Sequence, residues 1–355
     1  MADNLRVLVA GTGNMGASHA RSYHKINGFE VCGLVARSKT RSQPLAEELD
    51  NPPIYHDFYE ALKEAKPDVV SVNTYPDTHA EYAIASLESG AHVFLEKPVA
   101  VTLKDAEAVV AAAAKNKKKL VIGYILRVHP SWTQFIDLTH SLGKPLVMRM
   151  NLNQQSSGKT WATHKSLMES MSPIVDCGVH YVDVMCLMTK SQPVKVSGIG
   201  ARLSDEVDAK MYNYGQLQVT FADGSVGWYE AGWGPMISEN AFFIKDVMGP
   251  KGSVSMVNKV ATKSDDIDSH STTNQLKVHW AETDQKGDYV KPDQLLDTSS
   301  EPDHQELCNK EQELLLKAIR EDMDMKEHHR DAINSLKIVL AADESFKTGK
   351  TIDLE

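Results

Sequence analysis

Short apolar runs alternate with helical patterns over the first 125 residues. Five of these runs have the length and β-branched content of buried strands: residues 5–10, 29–36, 68–73, 92–95 and 121–124. Residues suited to helix starts stand between them, Asp77 before one helical stretch and Thr102 with Asp105 before another. Strands that alternate with helices form parallel sheets covered on both faces, so we predict an α/β domain with a doubly wound parallel sheet.

The pattern changes after about residue 123. Apolar and polar residues alternate over 216–230 on both sides of Asp223-Gly224, and Asp-Gly suits the two-residue turn of an antiparallel hairpin. The sequence at 249–252 marks a second turn between strands, whereas the polar stretch 259–303 predicts long loops. We therefore expect a second, α+β domain with a sheet rich in antiparallel strands.

Three segments follow from these patterns. Residues 1–125 form the parallel-sheet domain, and residues 126–330 form the α+β domain. Residues 331–355 hold a helix, because a helical period returns over 330–347, and a tail that we expect to pack back near the first domain.

A glycine fingerprint directly follows the first predicted strand and opens a helix. Gly11 permits a tight turn, Gly13 lets the backbone approach a pyrophosphate, and Gly16 lets helix and strand pack closely. Asn14 and Met15 begin the helix, whose N–H groups face the phosphate. The context predicts a Rossmann domain that binds a dinucleotide; a glycine turn in a non-binding α/β domain is the alternative.

The second strand lacks the carboxylate that usually holds the ribose hydroxyls of NAD. It ends in Val35-Ala36, and Arg37 and Ser38 follow. A cation and a hydroxyl suit a 2′-phosphate, so we predict NAD(P) as the cofactor, with a preference for NADP. The alternative is a basic loop that only faces solvent.

Two further segments carry candidate chemistry. Glu96-Lys97-Pro98 follows a strand, and ligands of open parallel sheets bind beyond the carboxyl ends of the strands. A plain surface lysine is the alternative there. Farther on, Ser172-Pro173 suits a helix start, which places Asp176 and His180 on one helix face.

Gly178, between that pair, is costly inside a helix and makes sense if something approaches the backbone. The alternative for Asp176 and His180 is a buried structural pair whose polar groups hydrogen-bond within the protein. A metal would need a further ligand from elsewhere in the chain, and we expect no metal.

The chain resembles the Gfo/Idh/MocA family of sugar and cyclitol oxidoreductases. The resemblance rests on the glycine fingerprint, the Glu96-Lys97-Pro98 segment and the Asp176 to His180 segment, in this order. The resemblance extends over nearly the whole chain, although Met171–Val175 replaces a glycine-rich stretch found in many members. It implies an open, mostly antiparallel sheet in the second domain, with substrate between that sheet and the nicotinamide. The exposed sheet face often makes oligomer contacts in this family, which implies a homodimer or homotetramer.

The resemblance also implies site residues. Lys97, Asp176 and His180 act at the reacting carbon. Further cofactor contacts fall on Thr74, Pro76, His79 and Glu96. Candidate substrate contacts are Tyr124 and Arg127. Trp161, His164 and Lys165 are further candidates because they lie in a polar segment where an aromatic ring can stack on a sugar face; an ordinary loop is the alternative there.

The implied function is hydride transfer between a nicotinamide and a secondary hydroxyl or ketone of a sugar, glycoside or cyclitol. Imidazole exchanges protons near neutral pH, so His180 is the expected acid/base, with Lys97 stabilising the reacting oxygen and Asp176 orienting His180 or substrate. A desolvated Lys97 is the alternative base. The family also contains a non-catalytic, cofactor-binding regulator and enzymes that cleave glycosides through transient oxidation.

Charge, cysteine content and hydropathy limit the partners, metal sites and location that the protein can have. The formal net charge of −10 excludes a general attraction for nucleic acid or anionic membranes. The four cysteines are scattered without a C-x-x-C pair, which argues against zinc sites and disulfides. We see neither a signal peptide nor an apolar run of membrane-spanning length, so we expect a soluble, cytoplasmic protein.

Overall fold

The computed structural model describes residues 4–238, 244–257 and 273–354. The chain divides into two compact units. The first consists of Met1–Ile125 with Asp303–Ile333, and the second of Leu126–Pro302 with Asn334–Glu355.

The described part of the first unit contains a parallel sheet. Its strands are β1 (Leu5–Ala10), β2 (Phe29–Val35), β3 (Ile54–Tyr55), β4 (Val69–Val72), β5 (His92–Leu95) and β6 (Leu120–Ile122). They lie in the order β3-β2-β1-β4-β5-β6, and every neighbouring pair is parallel. The prediction of a doubly wound parallel sheet is thus confirmed; the two-residue strand β3 was too short to predict.

Five helices connect these strands: α1 (Asn14–Lys25), α2 (Lys39–Glu48), α3 (Phe58–Ala65), α4 (Pro76–Glu88) and α5 (Leu103–Asn116). Thr102 caps α5 as predicted, because its hydroxyl accepts the N–H of Asp105. The cap assigned to Asp77 is wrong. Helix α4 already begins at Pro76, and Asp77 lies in its first turn, where a carboxylate still favours the helix dipole.

The second unit contains a larger sheet. Its described strands are β7 (Val147–Gln155), β8 (Pro193–Ala201), β9 (Tyr214–Phe221), β10 (Val226–Gly234), β11 (Lys245–Gly249), β12 (Gly252–Val257), β13 (Gln275–Trp280), β14 (Gln294–Asp297) and β15 (Ile352–Asp353). They lie in the order β14-β13-β12-β11-β7-β10-β9-β8-β15. Only β7 and β10 pair in parallel within the described residues, so the sheet is mostly antiparallel, as predicted.

The predicted hairpin joins β9 to β10, but its turn is longer than expected. The N–H of Phe221 bonds to the carbonyl of Ser225 at 2.8 Å, which leaves residues 222–224 as a three-residue loop. The two-residue turn is therefore wrong. Three-residue loops with glycine in the last position are the next commonest hairpin connection, and Gly224 occupies that position.

Helices α6 (Pro130–Thr139), α7 (Gly158–Leu167), α8 (Pro173–Asp176) and α9 (Gly178–Thr189) pack against strands of this sheet. Two 3₁₀ turns cover Ile125–Arg127 and His140–Leu142. The aromatic core is built where α9 meets β10: the rings of Tyr181 and Tyr229 stack with centroids 5.0 Å apart. Within the described ranges, no helix is both long enough and apolar enough to cross a membrane.

The C-terminal region differs from the expected division. Helix α10 (His304–Arg320) contributes Leu315 and Leu316 to the core of the first unit, beside Tyr23 and Phe29. Helix α11 spans Lys326–Thr348, which confirms the helical period there. At the tail, β15 pairs with β8 and so extends the second sheet, while the expected packing near the first domain remains a prediction.

The stretch 259–303 is only partly loop. Strands β13 and β14, which were not predicted, lie within it and pair with each other, and a long connection over 281–293 joins them. Residues such as Leu276 and Val278 are buried while their neighbours carry polar side chains, and this sparse alternation was hidden in a polar composition. Residues 258–272 lie outside the described part of the chain.

Buried and exposed side chains alternate along β9, and this assignment of burial can be tested. Leu217 is fully buried and Gln218 is exposed. Leu217→Ala should lower the free energy of unfolding by about 2–5 kcal/mol, because it leaves a cavity in a packed core. Gln218→Ala should change it by less than about 0.5 kcal/mol. Urea unfolding measures both, and equal effects would contradict the assigned burial.

Candidate active site

The glycine turn lies between β1 and α1, and close packing explains two of its glycines. A Cβ added to Gly11, which has φ +91°, would lie 2.5 Å from the carbonyl oxygen of Asn73. A Cβ on Gly16 would lie 1.9 Å from the carbonyl oxygen of Gly11. The turn therefore folds tightly against β4 and the start of the helix, as predicted.

Gly13 is different, because a Cβ there would meet nothing within 4 Å. It is the N-cap of α1 and makes no side-chain cap hydrogen bond, so the first turn of the helix presents its N–H groups beside an open backbone. Asn14 is exposed and Met15 half-buried at this end. A pyrophosphate fits such a cradle, because the helix terminus favours negative charge and glycine permits close approach.

Three loops meet at the carboxyl edge of the first sheet, because β1, β4 and β5 are neighbours. The glycine turn follows β1, Thr74 and Pro76 follow β4, and Glu96 with Lys97 follow β5. His79 links two of these loops: one ring nitrogen lies 2.8 Å from the carbonyl oxygen of Pro98 and the other 3.0 Å from that of Thr74. Lys97 is half-buried.

His79 was predicted to contact the cofactor, but it is 1% exposed. Burial lowers its pKa below the ordinary value, although the two carbonyl groups oppose this shift. A neutral imidazole carries one N–H, so it donates to one of the two carbonyls at a time. His79 thus supports the two loops, and its contact with the cofactor remains a prediction.

Glu96 lies buried beneath the loop that carries Lys97. One carboxylate oxygen lies 2.7 Å from Nε2 of His19, and the other accepts the backbone N–H of Lys97 at 3.2 Å. Burial opposes a charge on Glu96, yet the hydrogen bond from His19, aided by the charge of Lys97, holds its pKa below the ordinary value. Its contacts are those of a loop support.

The loop after β2 is tied to the glycine turn. The hydroxyls of Thr12 and Ser42 lie 2.7 Å apart, and Ser38 caps α2 by accepting the N–H of Arg41. The exposed Arg37 guanidinium lies over the ring of Tyr75, 5.8 Å from its centroid. The positively charged Arg37 therefore lies in the loop that follows β2.

The Asp176 and His180 segment is helical with a short interruption. Ser172 caps α8 and Pro173 opens it, as predicted. Cys177 separates α8 from α9 but keeps helical angles, φ −87° and ψ −40°. Both Asp176 and His180 are half-buried.

Something does approach the backbone at Gly178, as expected, and it is a side chain of the protein. A Cβ there would lie 2.9 Å from Cε1 of Tyr229, so the glycine lets the helix pack on an aromatic ring of β10.

Residues that sequence reasoning missed surround Asp176. Gln154 accepts the indole N–H of Trp233 at 2.7 Å, and the Cys177 thiol lies 3.7 Å from the Asp176 carboxylate. The ring of His164 stacks on Trp233 with centroids 4.4 Å apart. Burial lowers the pKa of His164 to about 4, against the opposing charge of Asp176. No local motif marks Gln154 or Trp233, since strands β7 and β10 bring them together only in the fold.

Three other predicted substrate residues have protein partners. Arg127 forms a bidentate ion pair with the buried Asp183, at 2.6 and 2.7 Å. Trp161 is only 6% exposed and donates its indole N–H to Glu206 at 3.2 Å, and Lys165 pairs with the same carboxylate.

The fourth residue, Tyr124, belongs to the first unit and is 2% exposed. Substrate contacts for Tyr124, Arg127, Trp161 and Lys165 remain predictions.

Comparison with known proteins identifies the chain. A family model described as an oxidoreductase family with an NAD-binding Rossmann fold matches residues 5–124, and the GFO/IDH/MocA C-terminal domain model matches residues 139–255. The chain belongs to the Gfo/Idh/MocA oxidoreductase family. Membership confirms the resemblance seen in the motifs, and the matched Rossmann model supports a nicotinamide dinucleotide as cofactor.

Curated relatives within the Gfo/Idh/MocA family include an inositol 2-dehydrogenase of Salmonella typhimurium (strain LT2), 29% identical over 189 residues. That match covers 51% of this chain and 53% of the relative, so the chain spans about half the length of the inositol dehydrogenases it matches. A D-glucoside 3-dehydrogenase of Escherichia coli K12 is 26% identical over 272 residues, 71% of this chain and 77% of the relative.

A solved Gfo/Idh/MocA-type structure shares the fold over almost its full length. The scyllo-inositol dehydrogenase of Lactobacillus casei, solved with NAD(H) and scyllo-inositol, aligns with a TM-score of 0.77 and 18% identity over 99% of each chain. An oxidoreductase domain protein of Kribbella flavida aligns with a TM-score of 0.78 and 20% identity over 100% of each. At these identities the likeness establishes the fold.

The open space at Gly13 gives a test of the cofactor cradle. Its backbone angles, φ −71° and ψ −169°, suit alanine, so Gly13→Ala should fold with unchanged stability. The added methyl group would occupy the space that a pyrophosphate approaches, and NADH affinity should fall by about tenfold or more, which is about 1.4 kcal/mol. Fluorescence titration with NADH and thermal unfolding measure the two effects. Unchanged affinity would contradict this cradle.

Proposed function

We propose that this protein is an NAD(P)-dependent dehydrogenase acting on a secondary hydroxyl or ketone of a sugar, glycoside or cyclitol. The observation that carries the proposal is the meeting of three loops at one sheet edge. An open dinucleotide cradle follows β1, and a half-buried lysine follows the nearby strand β5. A bound nicotinamide supplies the hydride acceptor or donor.

Lys97 acts on the reacting oxygen in this proposal. Its ammonium group donates a hydrogen bond to that oxygen and stabilises the negative charge that develops there. Support for this role comes from its backbone, whose N–H is fixed by the Glu96 carboxylate at 3.2 Å. A fixed backbone limits the positions that the long side chain samples.

His180 serves as the acid/base in this proposal, and Asp176 orients His180 or the substrate. An imidazole takes a hydroxyl proton and returns it near neutral pH. Both residues are half-buried on neighbouring turns of α8 and α9. The other imidazole near Asp176, that of His164, is stacked on Trp233, and its lowered pKa of about 4 makes it a poor base for this step.

The substrate class rests on relatives that carry the names of inositol and glucoside dehydrogenases. These substrates share a ring with adjacent secondary hydroxyls. We add three expectations: no binding of nucleic acid or membranes, from the net charge of −10; a homodimer or homotetramer, from the family resemblance; and a cytoplasmic location, from the lack of a recognisable signal peptide or membrane-spanning run in the sequence.

The cofactor proposed is NADP in preference to NAD. Strand β2 ends without a carboxylate, and the exposed Arg37 is held over Tyr75 beside the glycine turn. Arg37→Ala should weaken NADPH binding by about tenfold or more and leave NADH binding unchanged, because only NADPH carries the 2′-phosphate. Calorimetric titration with each cofactor measures this.

Lys63→Ala is the matched control for the loss of one positive charge, because Lys63 is exposed on α3. Tighter NADH than NADPH binding by the native protein, or an equal loss of both in Arg37→Ala, would contradict the preference.

The assigned roles predict distinct kinetics. His180→Ala should lower the rate by about 10²–10⁴-fold and remove the acidic limb of the pH–rate profile, since it deletes the proton acceptor. Lys97→Met should lower it by about 10²–10³-fold, since it deletes the donor to the reacting oxygen. Neither should change cofactor affinity by more than about threefold. A screen of sugars and cyclitols, read by nicotinamide absorbance, provides the substrate for these measurements.

Exposed residues of the same types serve as controls: Lys104→Met and His24→Ala should retain the native rate. If the acidic limb survives in His180→Ala, Lys97 is the base. If the native protein binds cofactor and turns over no member of the screen, the regulatory alternative replaces the enzyme.

A further inference from the structure

A buried polar cluster lies beneath the loop that carries Lys97. It consists of His19 on α1, Glu96 after β5, and Glu311 and Gln312 on α10. We name these four residues the His19 cluster. Their exposed fractions are 0%, 7%, 3% and 0%, in that order. Buried polar groups are costly unless they are paired, so the pattern of hydrogen bonds among them decides what the cluster does.

The hydrogen bonds form a chain from α10 to the backbone of Lys97. Nε2 of Gln312 lies 2.9 Å from Nδ1 of His19. Nε2 of His19 lies 2.7 Å from Oε1 of Glu96. Oε2 of Glu96 accepts the N–H of Lys97 at 3.2 Å. Three links thus connect Gln312 to the residue proposed to act on the reacting oxygen.

The donors and acceptors along these three hydrogen bonds fix the tautomer of His19. An ionised Glu96 only accepts hydrogen bonds, so Nε2 of His19 carries the proton. Nδ1 of a neutral imidazole then holds a lone pair, which accepts from the amide N–H of Gln312. The opposite tautomer would place a lone pair against the Glu96 carboxylate, and the two acceptors would repel each other.

We propose that Gln312 is a positioning residue for Lys97, acting through His19 and Glu96. Its amide donates to Nδ1 and so holds the His19 ring in the orientation in which Nε2–H donates to Glu96. Glu96 is then held in place to accept the Lys97 N–H. The consequence for turnover rests on the proposed function, but the effect on the position of Lys97 does not.

Glu311 supports this arrangement by staying neutral. Neither of its carboxyl oxygens has a hydrogen-bond partner among the residues that the structure describes. Burial first, and then the charge of Glu96, raise the pKa of Glu311 well above its ordinary value. The negative charge of the cluster therefore stays on Glu96, which keeps Glu96 an acceptor for both His19 and Lys97.

A metal site is the competing interpretation of the same residues. His19, Cys308 and Glu311 each offer one ligand atom, and the three atoms lie within 4.8 Å of one another. Both ring nitrogens of His19 are within hydrogen-bond distance of partners, at 2.7 and 2.9 Å. A metal ion would have to displace one of these bonds, so the geometry favours the hydrogen-bonded chain, and zinc binding becomes an outcome of the test.

The experiment compares Gln312→Leu with two matched controls on the same helix. Gln305→Leu removes another amide of α10, which donates to the carbonyl of Ser18 on α1 at 2.9 Å. Glu311→Gln keeps the shape of a neutral Glu311. Ring-¹⁵N histidine spectra report the His19 tautomer, and the signal is identified by its loss in His19→Gln. Reductive ¹³C-methylation reports the surroundings of Lys97, whose signal is identified by its loss in Lys97→Arg.

Gln312→Leu should shift the Nδ1 signal of His19, because that nitrogen loses its hydrogen-bond donor, and should shift the Lys97 methyl signal, while Gln305→Leu and Glu311→Gln leave both unchanged. Once a substrate is known, kcat of Gln312→Leu should fall by about ten- to a hundredfold, with cofactor affinity unchanged. If Gln312→Leu does not fold, Gln312→Glu replaces it. A carboxylate facing Nδ1 should then make His19 doubly protonated, again with a shifted Lys97 signal.

Three results would overturn the proposal. One is an unchanged Nδ1 signal of His19 in the Gln312 variant that folds. Another is a Lys97 signal that moves no more than in Gln305→Leu, which would leave Gln312 a packing residue. The third is stoichiometric zinc, added as the chloride, that is lost in Cys308→Ser. An inactive native protein with the expected spectra would contradict the proposed function and leave this inference standing.

Discussion

The parallel pairing of β1 with β4, and of β4 with β5, brings three loops to one edge of the first sheet. A different set of residues holds each loop in place. The turn after β1 is shaped by glycines, the loop after β4 is held by His79, and the loop after β5 rests on Glu96. Without the parallel order, the cradle and Lys97 would not share an edge.

That edge depends on buried polar contacts as well as on the sheet. Helix α10 comes from the distant 303–333 segment, yet it places Leu315 and Leu316 in the core of the first unit. The same helix brings Gln312 to His19. Packing and hydrogen bonding thus act together: the apolar face fixes the helix, and the fixed helix aims an amide at the imidazole.

The sequence predicted features whose causes are local. The Gly11 to Gly16 turn, the strand before Glu96 and the Ser172-Pro173 helix start each depend on neighbouring residues, and the structure agrees with them. Features that depend on distant partners were missed. Gln312 is 293 positions from His19, and Tyr229 explains Gly178 only once β10 is placed against the helix. Strand β15 and the loop supports His79 and Glu96 belong to the same class.

The central proposal is that this chain holds a nicotinamide cofactor and transfers hydride between it and a ring carbon that bears a hydroxyl or keto oxygen. The most direct measurement follows deuterium from carbon-deuterated sugars and cyclitols into the cofactor, read by mass spectrometry of the reduced product. The account predicts one deuterium per reduced cofactor with the native protein and almost none with Lys97→Met. Cofactor that binds at Gly13 but acquires no deuterium from any of these compounds would contradict it.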